Sequence, residues 1–202
     1  MGRNGRSNPL CGTSTHSSIE HIAEPKMTTL ITSQLVHVIR DRYQLDWKGI
    51  HGVSHWTRVR ANGLTIAAAN GANRKVVEYF AFLHDSCRRN DGRDHEHGKR
   101  SADFSKTIRT GLIQLDDIEF DLLLCALEGH TYGSSHDDLT VGTCWDADRL
   151  DLTRIGITPD PTRLCTIAGR QLANIRRQRD GSLASLPGLA KTHFLHHCSY
   201  PR

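Results

Sequence analysis

Apolar residues recur along this chain at helical spacing and nowhere alternate with a clear period of two, which restricts the fold to helices packed on helices. Leu30, Ile31, Leu35, Val38 and Ile39 form the first such face. A second helix is expected from about Ile50 to Asn70, with Gly71 placed to end it, and Asn73 can cap a third whose apolar positions Val76, Val77, Phe80 and Leu83 lead into His84. The segment Arg88 to Glu96 contains no core former and reads as a surface loop, a usual place for function on a rigid scaffold. Helical signals resume near Gly98 and run through Phe104 to Ile108. Asp116 with Glu119 predicts a capping pair for a helix from Ile118 to Gly129, and Thr143 with Asp146 predicts another opening Cys144 to Ile155. Asp160 and Pro161 predict a cap and first-turn proline ahead of Leu164, Ile167, Leu172 and Ile175. The expectation is an all-α fold, one domain over about residues 27–180, between a poorly ordered leader at 1–26 and a loosely ordered tail at 181–202 that carries His193, His196 and His197.

Composition narrows what such a chain can do. With 37% apolar and 24% charged residues it is an ordinary globular sequence, and no stretch approaches the roughly 20 uninterrupted apolar residues of a membrane span. The leader lacks the apolar centre of a signal peptide, so a cytoplasmic location is expected. Six cysteines without a Cys-x-x-Cys pair read as free thiols, with Cys125 and Cys165 expected as small buried hydrophobes on helical faces. Residues 152–202 carry eight basic and two acidic side chains; Arg176, Arg177 and Arg179 suit a solvated helix face, so a nucleic-acid partner is not expected. Thirteen histidines are about three times ordinary usage, and histidine is both the commonest metal ligand and the usual proton carrier near neutral pH.

Five of those histidines fall in a pattern. His51-Gly-Val-Ser-His55-Trp-Thr-Arg58-Val59 is expected to place both histidines and the arginine on one helical face; His84-Asp85 ends an apolar helix; His97-Gly98 follows the charged loop; His130 ends the next helix; and Asp146-Ala-Asp148-Arg149-Leu150-Asp151 lies on a late helix. Singly, each has an ordinary structural explanation as a cap, a surface group or a salt-bridge partner. Together, in this order, they bring imidazoles and carboxylates from separate helices to one place, as a helical core holding one or two divalent cations requires.

With these motifs, the chain resembles the HD-domain metal-dependent phosphohydrolases from His51 to about Asp151. The resemblance implies a helical bundle with a divalent metal site in its core. His55, in His-x-x-Arg-Val, looks like the first metal histidine, His84 and Asp85 like the doublet, and Asp148, in Ala-Asp-Arg-Leu, like the closing aspartate. His97 and His130 fit the two additional histidines with which some members hold a second metal, the doublet aspartate bridging. His51 is assigned to the substrate-facing wall, the alternative being a structural role on the same helix face. The implied cofactor is one or two ions of Mn, Fe, Co, Zn or Mg, and the implied reaction is cleavage of a phosphomonoester or phosphodiester of a small metabolite or nucleotide by metal-activated water. In that reading Asp85 ligates metal and contacts the water, and Asp91 is a general acid or water holder. Arg58 and Arg149 act at the reacting phosphate, while Arg88 and Arg89 bind the substrate. A homodimer is the default for a small helical enzyme. The alternatives are an HD scaffold that senses a nucleotide without turnover and a di-iron HD oxygenase.

Overall fold

The computed structural model describes residues 1–2 and 30–184, with side chains through residue 179. Among them are seven α-helices and no strand: α1 (Ser33–Arg42), α2 (Val53–Asn70), α3 (Arg74–Leu83), α4 (His97–Leu112), α5 (Asp117–Gly129), α6 (Leu139–Arg149) and α7 (Ile167–Ala184), with short 3-10 turns at Leu152–Ile155 and Pro161–Arg163. The expected leader and the His193, His196, His197 group lie outside the described residues. No described helix is long and apolar enough to cross a membrane.

Local chemistry sets most boundaries as the sequence predicts. Gly71 ends α2 at φ 81°, a left-handed conformation that glycine adopts without penalty. Asn73 caps α3 by accepting from the Lys75 and Val76 amides, and Asp116 with Glu119 forms a complete capping box on α5. Four expectations are corrected. The second helix starts at Val53 with Gly52 as cap, so His51 stands in the preceding turn and not on the helical face of His55. The cap of α6 is Asp138, which accepts from the Thr140 and Val141 amides; Thr143 is buried mid-helix, and the helix stops at Arg149. Asp160 caps only the short turn Pro161–Arg163. The start of α7 is fixed instead by Thr166, whose hydroxyl accepts from the Gly169 amide at 2.9 Å. In α7, Ile167 and Ile175 face outward, while Ala173, together with Leu164 ahead of the helix, packs on Ile66 and Leu150.

The main core lies between α2, α3, α5 and α6. Trp56, Val59, Val77, Phe80, Leu83, Leu123, Leu127 and Ala147 are all buried there. Each large side chain among them contributes about 1.5–3 kcal/mol through burial. Helix α3 packs against both α2 and α5, and α6 closes the far side, so the ends of four helices meet beside the C-terminus of α3. Among the thiols, burial falls on Cys87 and Cys144; Cys125 is exposed beside His136 and Cys165 is half-buried, correcting the expectation for both. These four cysteines are free.

Candidate metal centre

Helix termini carry the chemistry. The first turn of α2 supplies His55, the residues ending α3 supply His84 and Asp85, α4 opens with His97, His130 follows α5, and the last turn of α6 supplies Asp148. Their donor atoms form two groups. In the first, His55 Nε2 lies 3.0 Å from His84 Nε2 and 3.3 Å from Asp148 Oδ1. In the second, His97 Nε2 lies 2.8 Å from His130 Nε2 and 3.1 Å from Asp85 Oδ1. Asp85 stands between them: its Oδ2 is 3.6 Å from the Nε2 atoms of both His55 and His84, while Oδ1 faces the second group. The structure thus brings together all six residues that the resemblance places at the metal.

The opposite ring nitrogens show what these donors are prepared for. His55 Nδ1 donates to Asp151 Oδ2 at 2.7 Å, His84 Nδ1 to the Ala81 carbonyl at 3.1 Å, His97 Nδ1 to the Asp94 carbonyl and His130 Nδ1 to the Leu127 carbonyl at 2.7 Å. Each of those partners only accepts, so each Nδ1 carries the proton and each neutral ring turns an Nε2 lone pair inward. Lone pairs facing one another at 2.8 and 3.0 Å repel unless a cation lies between them. Burial pushes His84 down to about 3, so it stays neutral. Burial pushes Asp85 up, but the imidazoles of His84, His130, His51 and His97 outweigh it and hold the carboxyl well below its usual range. For Asp148, burial is outweighed in the same way by His55 and His84. His55 is the exception: burial lowers it, but Asp148 and Asp151 raise it more, leaving it above an ordinary imidazole, so a positive charge at its Nε2 edge, a proton or a metal ion, is favoured. Neutral imidazoles and ionised carboxylates at these spacings fit borderline or hard divalent ions.

Beside the donors, a cavity of about 310 Å³ is lined by His51, Arg88, Arg93, His95 and Arg154 as well as by Asp85, His97, His130 and Asp148, with His55 and His84 buried behind it. His51 reaches it from its turn, with Nδ1 2.9 Å from Asp85 Oδ2. Arg88 is buried and folds back over the loop, NH1 lying 3.4 Å from both Asp85 Oδ1 and His97 Nε2. Four predicted residues stand elsewhere. Arg58 does not line the cavity; its guanidinium grips Asp151 at 2.7 and 3.0 Å, behind His55. Arg149 is turned to the carbonyls of Gly133, Ser134 and Arg163 and stands in the wall of a second, adjoining cavity. Arg89 is exposed beside Arg42 and Arg100, and Asp91 is exposed without lining the site. Neither is placed to meet a substrate there.

Sequence reasoning missed Asp151, Arg154 and Asp94. Asp151 holds the proton-bearing side of His55, and Arg154 lies 3.4 Å from His51 Nδ1 while donating to the Ile50 carbonyl. Asp94 pairs with Arg100 at 2.5 Å and accepts from the Arg89 amide, tying down the loop from which its carbonyl meets His97. Asp151 had a signal, since it follows Asp148 by three residues and can share its helical face. Main-chain packing sets the second group: a Cβ on Gly98 would lie 2.4 Å from the Leu127 carbonyl oxygen, so only glycine lets the start of α4 seat against the end of α5.

Neither a family model nor a curated protein matches the sequence. Among solved structures, the chain is similar to a predicted HD superfamily hydrolase from an uncultured Thermotogales bacterium, with a TM-score of 0.59 and 22% identity over 75% of this chain and 87% of that one. The likeness is one of architecture: this chain has the all-α fold of that predicted HD superfamily hydrolase, and its own histidine and aspartate groups lie where the ends of five helices meet.

Proposed function

We propose that this protein is a metal-dependent phosphohydrolase that holds two divalent ions and cleaves a phosphoester of a small metabolite or nucleotide. One observation carries the reading: Asp85 turns one oxygen to each of two donor groups, His55–His84–Asp148 and His97–His130, whose inward nitrogens are all freed by a protein acceptor on the far side of the ring. Divalent ions bound there supply Lewis acidity toward a phosphoryl oxygen and a water of lowered pKa. The chain's own residues do the rest. Arg93 brings an exposed guanidinium suited to a phosphate, and Arg88 and Arg154, fixed by the Asn90, Gly92, Ile50 and Asp151 carbonyls, add positive charge to the cavity wall. His51 donates to Asp85 and orients its carboxylate. Asp151, clamped by Arg58, holds His55 in the tautomer that presents Nε2.

The test is elemental analysis of freshly purified protein together with a phosphatase screen over phosphomonoesters and phosphodiesters in Mn²⁺, Fe²⁺, Co²⁺, Zn²⁺ and Mg²⁺. Two ions per chain and metal-dependent phosphate release are expected, and Asp148→Ala should lower both with its circular dichroism unchanged. Unchanged metal content in Asp148→Ala would sink the reading. Oxygen consumption by an iron-loaded sample, without phosphate release, would replace it with an oxygenase.

A further inference from the structure

Beside the metal cavity lies a second, larger one of about 780 Å³. The two share His130, Thr131 and Leu152 in their walls and so adjoin each other. We propose that this second cavity receives the leaving group, and that the substrate is a phosphoester of a bulky, uncharged alcohol bearing a planar ring; the inference rests on the phosphohydrolase reading of the metal cavity.

Size is the first support. The metal cavity, at about 310 Å³, lies at the lower limit of small-molecule sites and is largely taken up by a phosphate and its ligands, whereas the second falls well within their range. Exposed apolar surface is the second. Tyr132 (59% exposed) and Ile157 (47%) stand in the second wall, and Ile155 (37%) in the metal cavity, so three of the large apolar side chains left in water surround this one opening. Tyr132 is also pinned: its hydroxyl donates at 2.8 Å to the carbonyl of His95, a residue of the metal cavity. The ring is thereby held across the junction, with area free to stack on a planar group at little entropic cost. Charge is the third. Arg149 is spent on main-chain carbonyls, and Asp160 and Arg163 stand in the wall with opposite signs, which does not suit a second phosphate. Ser134 and Thr158 add hydroxyls for the polar groups of an alcohol. On hydrolysis, water oxygen bonds to phosphorus, the ester P–O bond breaks, and the alcohol takes the proton and departs from this cavity.

The test compares 2-(1-naphthyl)ethyl phosphate with methyl phosphate, both esters of alkyl alcohols of similar acidity, on the metal-loaded full-length protein, using wild type, Ser134→Trp to fill the cavity and Ile157→Asp to remove its apolar wall. Wild type should prefer the naphthyl ester by about tenfold or more in kcat/KM, and both variants should reduce that preference toward parity while turning over methyl phosphate unchanged. Equal wild-type rates on the two esters, or equal loss on both in the variants, would overturn the proposal. Binding of 1-naphthylmethylphosphonate against methylphosphonate, by calorimetry, reads the same cavity without turnover. A binding preference that both variants abolish, with neither ester hydrolysed, would retain the cavity and sink the hydrolase; equal affinities would sink the cavity alone.

Discussion

The two donor groups flanking Asp85 use the same residue types but are backed differently. In the first, His55 leans on a carboxylate, Asp151, which is itself gripped by Arg58, and His55 and His84 are both fully buried between core helices. In the second, His97 and His130 lean on main-chain carbonyls at the ends of α4 and α5, next to the charged loop of residues 88–96. A carboxylate behind an imidazole makes it a stronger base and a better ligand than a neutral carbonyl does. The first group should therefore bind its ion more tightly and be the last to lose it to a chelator, and the second should exchange first.

Substitution at Asp85 should have the largest effect, because it serves both groups: Asp85→Ala is expected to strip both ions and all hydrolysis, as read by elemental analysis after gel filtration. His97→Ala should remove one ion and leave the other. Loss of both would show the groups to be a single cooperative unit and break the comparison. Asp151→Asn should weaken the first ion by about 10–100-fold in competition with a chelator while leaving the second unchanged. Arg58→Ala should act in the same direction more weakly, since Asp151 remains.

The smallest expected effect is a control remote from both groups. Burial pushes the Glu119 carboxyl up, but Lys75, Asn73 and the Asp116 amide outweigh it and hold it below its usual range. Its contribution to stability is therefore present above the unfolded value, roughly 4.3, and is lost as pH falls through the lower folded value. Glu119→Gln should lower the thermal midpoint slightly at neutral pH, match wild type in strong acid and leave metal content unchanged.

What was legible in the sequence follows the distance over which each residue acts. Helices announced themselves through local spacing, and His55, His84, Asp85 and Asp148 through motifs of a few residues on those helices. Asp151 was legible only as a neighbour of Asp148, and Arg154 not at all, because the partners that give them their roles, His55 and Ile50, lie 96 and 104 positions away. Arg88 and Arg89 are neighbours of the same type; only the folded loop turns the first inward and leaves the second in water. For α6, the sequence pointed to Thr143 as cap, but Thr143 is buried mid-helix and Asp138, five residues earlier, caps it instead. Asp146, which resembles Asp148 in the sequence, is consumed by the Cys165 and Thr166 amides and the Thr166 hydroxyl, joining α6 to α7.

At Gly98 the main chains of α4 and α5 meet with no space for a single added methyl group. The gauge of the second group is therefore cut into the backbone and not into its ligands. Exchanging His97 or His130 for another donor would change which ion is preferred while the opening stays the same width, whereas Gly98→Ala would pry that opening apart with both histidines intact.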